Sequence, residues 1–116
     1  MKKKTIISRI TGALDDSLRR KPWAGSSNKL AGHCYVASEA AYHLLGGSSS
    51  KWKPMFIRHE GSPHWFLRSS DGEILDITAS QFSSPVPYEK ARGNGFLTSH
   101  PSRRASIVIN KVMESI

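Results

Sequence analysis

Apolar side chains recur at three- and four-residue steps in three parts of the chain. Between Lys4 and Arg20, the residues Ile6, Ile7, Ile10, Ala13, Leu14 and Leu18 fall on one face, with Asp15-Asp16 and Arg19-Arg20 on the polar side, which predicts an amphipathic helix. Between Gly32 and Gly47, Ala37, Ala40, Ala41, Leu44 and Leu45 keep the same spacing, and Gly46-Gly47 supplies the stop. Towards the end, Ala105, Val108, Ile109, Val112, Met113 and Ile116 form a third apolar face, with Ser99 as the expected N-cap and Pro101 in the first turn. Arg103 and Arg104 near that start oppose the helix dipole, a placement that fits either an anionic contact or plain solvation.

In the middle of the chain the period changes to that of strands. Residues 52–58 read as a strand, with Pro54 pointing to an edge or a late start; His59-Glu60-Gly61-Ser62-Pro63 reads as a turn, and residues 64–68 as a second strand. Ser69-Ser70-Asp71-Gly72 is a strong hairpin turn before a third strand over residues 73–78. Lys21 to Ala31 is a turn-rich connector, and Glu89 to Asn94 is expected to be a flexible segment over the cleft. The elements predict one α+β domain over residues 1–116: an N-terminal helix, a cysteine-bearing helix, a three- to four-stranded antiparallel sheet and a C-terminal helix.

Composition narrows this. The chain has 116 residues, 38% of them hydrophobic, with three Trp, three Tyr and four Phe, enough for one core. Its single cysteine excludes an internal disulfide and fits a reducing compartment; no apolar run has the length of a signal peptide or a membrane span, so a cytoplasmic location is expected. A net charge of +8 invites a nucleic-acid reading. The basic residues are scattered in small clusters, however, and no nucleic-acid motif accompanies them, so weak polyanion affinity is the most that follows.

The lone cysteine, Cys34, sits just after Gly32 at the expected start of its helix. Unpaired N–H groups and the positive end of the dipole favour thiolate there, as a nucleophile requires; a small buried apolar residue is the alternative. His64 opens the middle strand, and Asp76 follows the Asp71-Gly72 hairpin turn. Counting back from that turn sets the two within a residue or two of each other across the ladder, so that the carboxylate can hold the imidazole. A helix packed on the sheet would bring its N-terminus to the same edge. Cys34, His64 and Asp76 then form a nucleophile, a general base and its orienting group. Asn28, six residues before the thiol, offers either an oxyanion donor or an ordinary turn amide. His33, Trp65 and Gln81 are candidates for lining the pocket.

The cysteine at a helix start, the His-Trp strand, the glycine turn and the Leu-Asp-Ile-Thr strand resemble the core of transglutaminase-like and papain-like cysteine enzymes. In that resemblance Asn28 corresponds to the papain-type glutamine of the oxyanion hole, with a shorter side chain. More closely, Gly32-His33-Cys34-Tyr35-Val36-Ala37-Ser38-Glu39-Ala40, His64-Trp65-Phe66-Leu67, Leu75-Asp76-Ile77-Thr78-Ala79-Ser80-Gln81-Phe82 and Gly95-Phe96-Leu97-Thr98 resemble small YunG-like proteins of bacteria and phages, over residues 23–104. The resemblance implies fold and site and leaves the substrate open.

His33, His43, His59, His64 and His100 raise a metal reading, but no Cys-x-x-Cys or His-x-x-x-His pair accompanies them, so neither metal nor cofactor is expected. The expected function is thiol-dependent acyl chemistry, with a protein, peptide or small amide as substrate: a peptidase, isopeptidase, amidase or transglutaminase-like transferase. The alternative is a non-catalytic binding module, such as a phage-encoded protein that blocks or sequesters a host factor or ligand.

Overall fold

The structure is a computed structural model that describes residues 3–14, 33–96 and 99–115. Three helices, α1 (Lys3–Ala13), α2 (Cys34–Leu44) and α3 (Arg103–Glu114), accompany a four-stranded antiparallel sheet of β1 (Trp52–His59), β2 (Ser62–Ser69), β3 (Ile74–Leu75) and β4 (Arg92–Gly93) in the order β3-β2-β1-β4. The protein is therefore α+β, as the sequence patterning predicts. No helix among the described residues is long and apolar enough to cross a membrane.

α2 is the central helix, packed against α1, α3, β1 and β2. Its inner face consists of Val36, Ala37, Ala40 and Ala41, all essentially inaccessible, and the small alanines let the helix lie close to its neighbours. Gly46 and Gly47 have φ of 117° and 62°, a left-handed path that ends the helix where the double glycine indicated. α1 stops at Ala13; the predicted continuation over Asp15–Arg20 lies outside the described residues.

α3 begins later than expected. Its N-cap is Ser102 rather than Ser99, and the Ser102 hydroxyl accepts from the Ala105 N–H at 3.2 Å. The cause lies on α2. The fully buried Glu39 carboxylate accepts from both the N–H and the Oγ of Ser102, each at 2.7 Å. α3 has no acid in its own first turn, and Glu39 supplies the negative charge that its N-terminus favours. Ala105, Val108 and Val112 are buried, whereas Met113, predicted on the apolar face, is exposed.

β1 and β2 form a hairpin with His59 opposite Ser62, so the turn is only Glu60-Gly61 and β2 already includes Pro63. Both turn residues have positive φ, 50° and 78°, as a two-residue primed turn requires. β1 is flanked on both sides, contrary to the edge position that Pro54 suggested. Pro54 is accommodated because the two-residue β4 pairs only with Met55 and Phe56, and beside it Asn94 N donates to Pro54 O at 3.2 Å. β4 thus occupies part of the segment expected to be flexible.

The two faces of the sheet are covered differently. Trp52, Leu67 and Leu75 pack with the three helices around Ile6, Ile10, Ala37, Ala41 and Val108. Met55, Ile57 and Phe66 point to the other face, covered by Phe82, Val86, Tyr88 and Ala91 from the chain after β3. That strap is tied at the β1–β2 turn, where the Glu60 carboxylate accepts four hydrogen bonds from the N–H and Oγ groups of Ser83 and Ser84. The Ser84 and then the Ser83 hydroxyl bonds, with the backbone of Ser83 next, hold Glu60 down to about 2 despite some desolvation.

Candidate active site

The third strand is shorter than its predicted span of 73–78, and that shortening builds the site. β3 pairs Ile74 with Arg68 and Leu75 with Leu67, then leaves the ladder. The next β2 acceptor on that edge, the Trp65 carbonyl, is taken by the Ser38 hydroxyl at 3.0 Å. One turn earlier on the same helix, the Cys34 thiol lies 3.7 Å from the Pro63 carbonyl, two residues further along β2. α2 therefore caps, with side chains, the strand edge that β3 leaves open. The N-terminus of α2 comes to rest beside His64.

One further step of the β2–β3 register would set Asp76 opposite Phe66 and diagonal to His64 on the same face. There Asp76 Oδ2 accepts from His64 Nε2 at 2.7 Å. The ring is fully buried, and the aspartate side chain is 3% exposed. The Cys34 thiol is near enough to the same ring to help raise its pKa. Burial alone would pull the imidazole pKa down. The Asp76 hydrogen bond, then that of Cys34, and the charges of both outweigh it and raise the pKa to about 9. His64 is therefore cationic at neutral pH, bonded to the Asp76 carboxylate.

Aromatic rings fix the imidazole. Phe82 stands edge-on to His64 at 4.8 Å, and Phe66 stacks at 6.2 Å. Gln81 Nε2 donates to Thr78 Oγ1 at 3.0 Å and lies 3.5 Å from His64 Nδ1, which places this predicted pocket residue at the ring nitrogen that Asp76 does not hold. Tyr88 OH donates to Asp76 Oδ2 at 2.9 Å. In the sequence Phe82 is only the end of the run 75–82, with no role assigned. For Tyr88 the signal is an aromatic in a proline-flanked run, Pro85-Val86-Pro87-Tyr88, which also suits a plain loop.

The other candidates fall elsewhere. His33 occupies the N-cap position of α2, fully buried, and caps through its carbonyl, which accepts from Ala37 N at 2.9 Å. Trp65 faces away from His64, as strand alternation requires, and packs with Tyr35, Phe56 and Phe96 at ring separations of 5.0 to 5.5 Å. Asn28, the expected oxyanion donor, lies outside the described residues. His43 lies at the other end of α2, roughly 14 Å along the axis from Cys34, where it lines a cavity of about 720 Å³ with Lys53, Asn94 and Phe96. Among the described residues, no group of three or more His, Cys, Asp or Glu side chains could hold a metal ion.

Fold and site together define an α+β protein in which a helix-start cysteine, a strand histidine and an aspartate meet at one sheet edge. The chain belongs to the YunG family: the family model described as YunG protein matches residues 10–111. No curated protein and no solved structure matches it.

Proposed function

We propose that this protein performs acyl transfer through the thiolate of Cys34, with His64 as proton carrier and Asp76 as its orienting group. The observation that carries this reading is the buried imidazole of His64, held by Asp76 at 2.7 Å through Nε2, next to a strand residue, Pro63, whose carbonyl lies 3.7 Å from the Cys34 thiol. On this reading His64 carries the proton given up by the thiol, and the sulfur is a nucleophile without an external base. Attack on an amide, ester or thioester carbonyl forms a C–S bond and a tetrahedral oxyanion. The Cys34 N–H, in the first turn of α2 and without a helical partner, can donate to that oxygen. Collapse expels the leaving group, protonated by His64, and leaves an acyl-thioester on Cys34. Water or an amine then releases the acyl group, His64 taking and keeping the proton of the incoming nucleophile while the sulfur leaves as thiolate, so that the starting pair is restored. The order of helix cysteine, strand histidine and following aspartate supports a papain-like or transglutaminase-like ancestry for this chemistry.

The test is an activated acyl donor, p-nitrophenyl acetate, followed by intact-mass spectrometry at pH 7. A mass increase of one acetyl group on Cys34, absent in Cys34→Ala and strongly reduced in His64→Ala, is expected. Absence of acylation in the parent protein contradicts the proposal.

One observation favours a second reading. Cys34 is only 9% exposed, as suits a structural cysteine in a binding module. In that case acetylation falls on surface lysines and does not depend on His64.

A further inference from the structure

Among the described residues, the Asp76 carboxylate has two hydrogen-bond donors, His64 Nε2 at 2.7 Å and Tyr88 OH at 2.9 Å, and both bind Oδ2. Oδ1 is buried and has no hydrogen-bond partner among the described residues. Tyr88 thus provides half of the hydrogen bonding to a carboxylate that is almost fully buried. Tyr88 is itself held in three ways. Its carbonyl accepts from Arg68 Nη2, its ring stands edge-on to Phe66 at 4.9 Å, and it opens a 3-10 turn at Tyr88–Lys90 closed by Lys90 N on Pro87 O and Ala91 N on Tyr88 O. Burial first, then the charge and hydrogen bond of Asp76, push the phenol pKa up, so the hydroxyl stays a donor throughout the working pH range. Such anchoring exceeds what a tyrosine needs merely to cover a sheet face.

We propose that Tyr88 is a positioning residue for the His64–Asp76 pair: its hydroxyl holds Oδ2 against Nε2 and, by sharing that oxygen, weakens the carboxylate's grip on the imidazolium proton. The inference rests on the Cys34–His64–Asp76 reading for its role in chemistry, while its effect on His64 stands by itself. The physical ground is that the O–H dipole presents its positive end to the same oxygen that attracts the imidazolium. Removing it returns more of the carboxylate's charge to His64. The titratable groups set against His64 are Asp76 after β3, the Cys34 thiol from α2 and, through Asp76, Tyr88 from the strap; Phe82 touches the rings of both His64 and His59.

The experiment is Tyr88→Phe, which keeps the ring on Phe66 and loses only the hydroxyl. His64 is followed by NMR of labelled histidine from pH 5 to 10.5, and Cys34 by its iodoacetamide alkylation rate over the same range. The His64 midpoint is expected to rise by about half a pH unit or more, the share of one hydrogen bond to a charged group. The alkylation profile should shift with it, and the thermal midpoint should stay within a few degrees of the parent's. An unchanged midpoint, or a lower one, overturns the proposal. Failure of the thiol reading looks different: Cys34 of the parent does not react, while the His64 midpoint still moves in Tyr88→Phe.

Discussion

Ser38 Oγ donates to the Trp65 carbonyl at 3.0 Å, across 27 residues of sequence, and this bond marks where β3 ends. A third strand running on past Leu75 would need that carbonyl as an acceptor. Because α2 takes it first, the chain turns away after Leu75, and Asp76 is released from the ladder to meet His64. A serine one turn from the cysteine thus joins strand length, helix position and site geometry.

Ser38→Ala should therefore do more than remove one hydrogen bond. It leaves a half-buried carbonyl without that partner, at a cost of about 1 kcal/mol. We expect a drop of several degrees in the thermal midpoint, and a slower Cys34 alkylation as α2 loses its register on β2. Unchanged values of both would show that the helix is positioned by packing alone.

Glu39 makes the neighbouring contact to α3. Glu39→Ala strips the Ser102 N–H and hydroxyl of their shared acceptor and should cost about 2 kcal/mol, read as a lower urea midpoint at unchanged slope. Glu39→Gln keeps one acceptor but sets an amide N–H against a donor, so it should fall between parent and alanine. A loss below about 0.5 kcal/mol in Glu39→Ala would mean that water replaces the carboxylate.

The histidine–aspartate pair predicts a pH dependence of stability. His64 titrates near 6.5 when unfolded and at about 9 when folded, so the folded state keeps its proton where the unfolded state has lost it. The resulting stabilisation is fully present below pH 6.5 and is lost as the pH rises through about 9. Its size is on the order of 3 kcal/mol, and Asp76→Asn should flatten the slope. Urea unfolding at pH 6, 7.5 and 9 measures it. Equal stability of the parent at all three would refute the raised ionisation.

Much of this arrangement is legible in the sequence, for physical reasons. The alanine spacing of α2 and its double-glycine stop are local signals, and so are the Asp71-Gly72 turn and the alternation that puts His64 and Asp76 on one face. What escapes is set by contacts between distant segments. The early end of β3 depends on Ser38, the delayed start of α3 on Glu39, and the grip on Asp76 on Tyr88 of the strap. Each is a polar residue whose partner lies far along the chain, and no periodicity marks it. Pro54 misleads for the same reason: its tolerance inside the sheet follows from the two-residue length of β4, which the flexible-looking Gly93-Asn94-Gly95 run conceals.

The most direct measurement is the rate at which iodoacetamide alkylates Cys34 between pH 5 and 10, in the parent and in His64→Ala. If His64 holds the thiol proton, the parent reacts well below pH 8, and its reactivity there is lost in the variant. A parent thiol that reacts only above pH 8, with the same profile in His64→Ala, would contradict the nucleophile assigned to this fold.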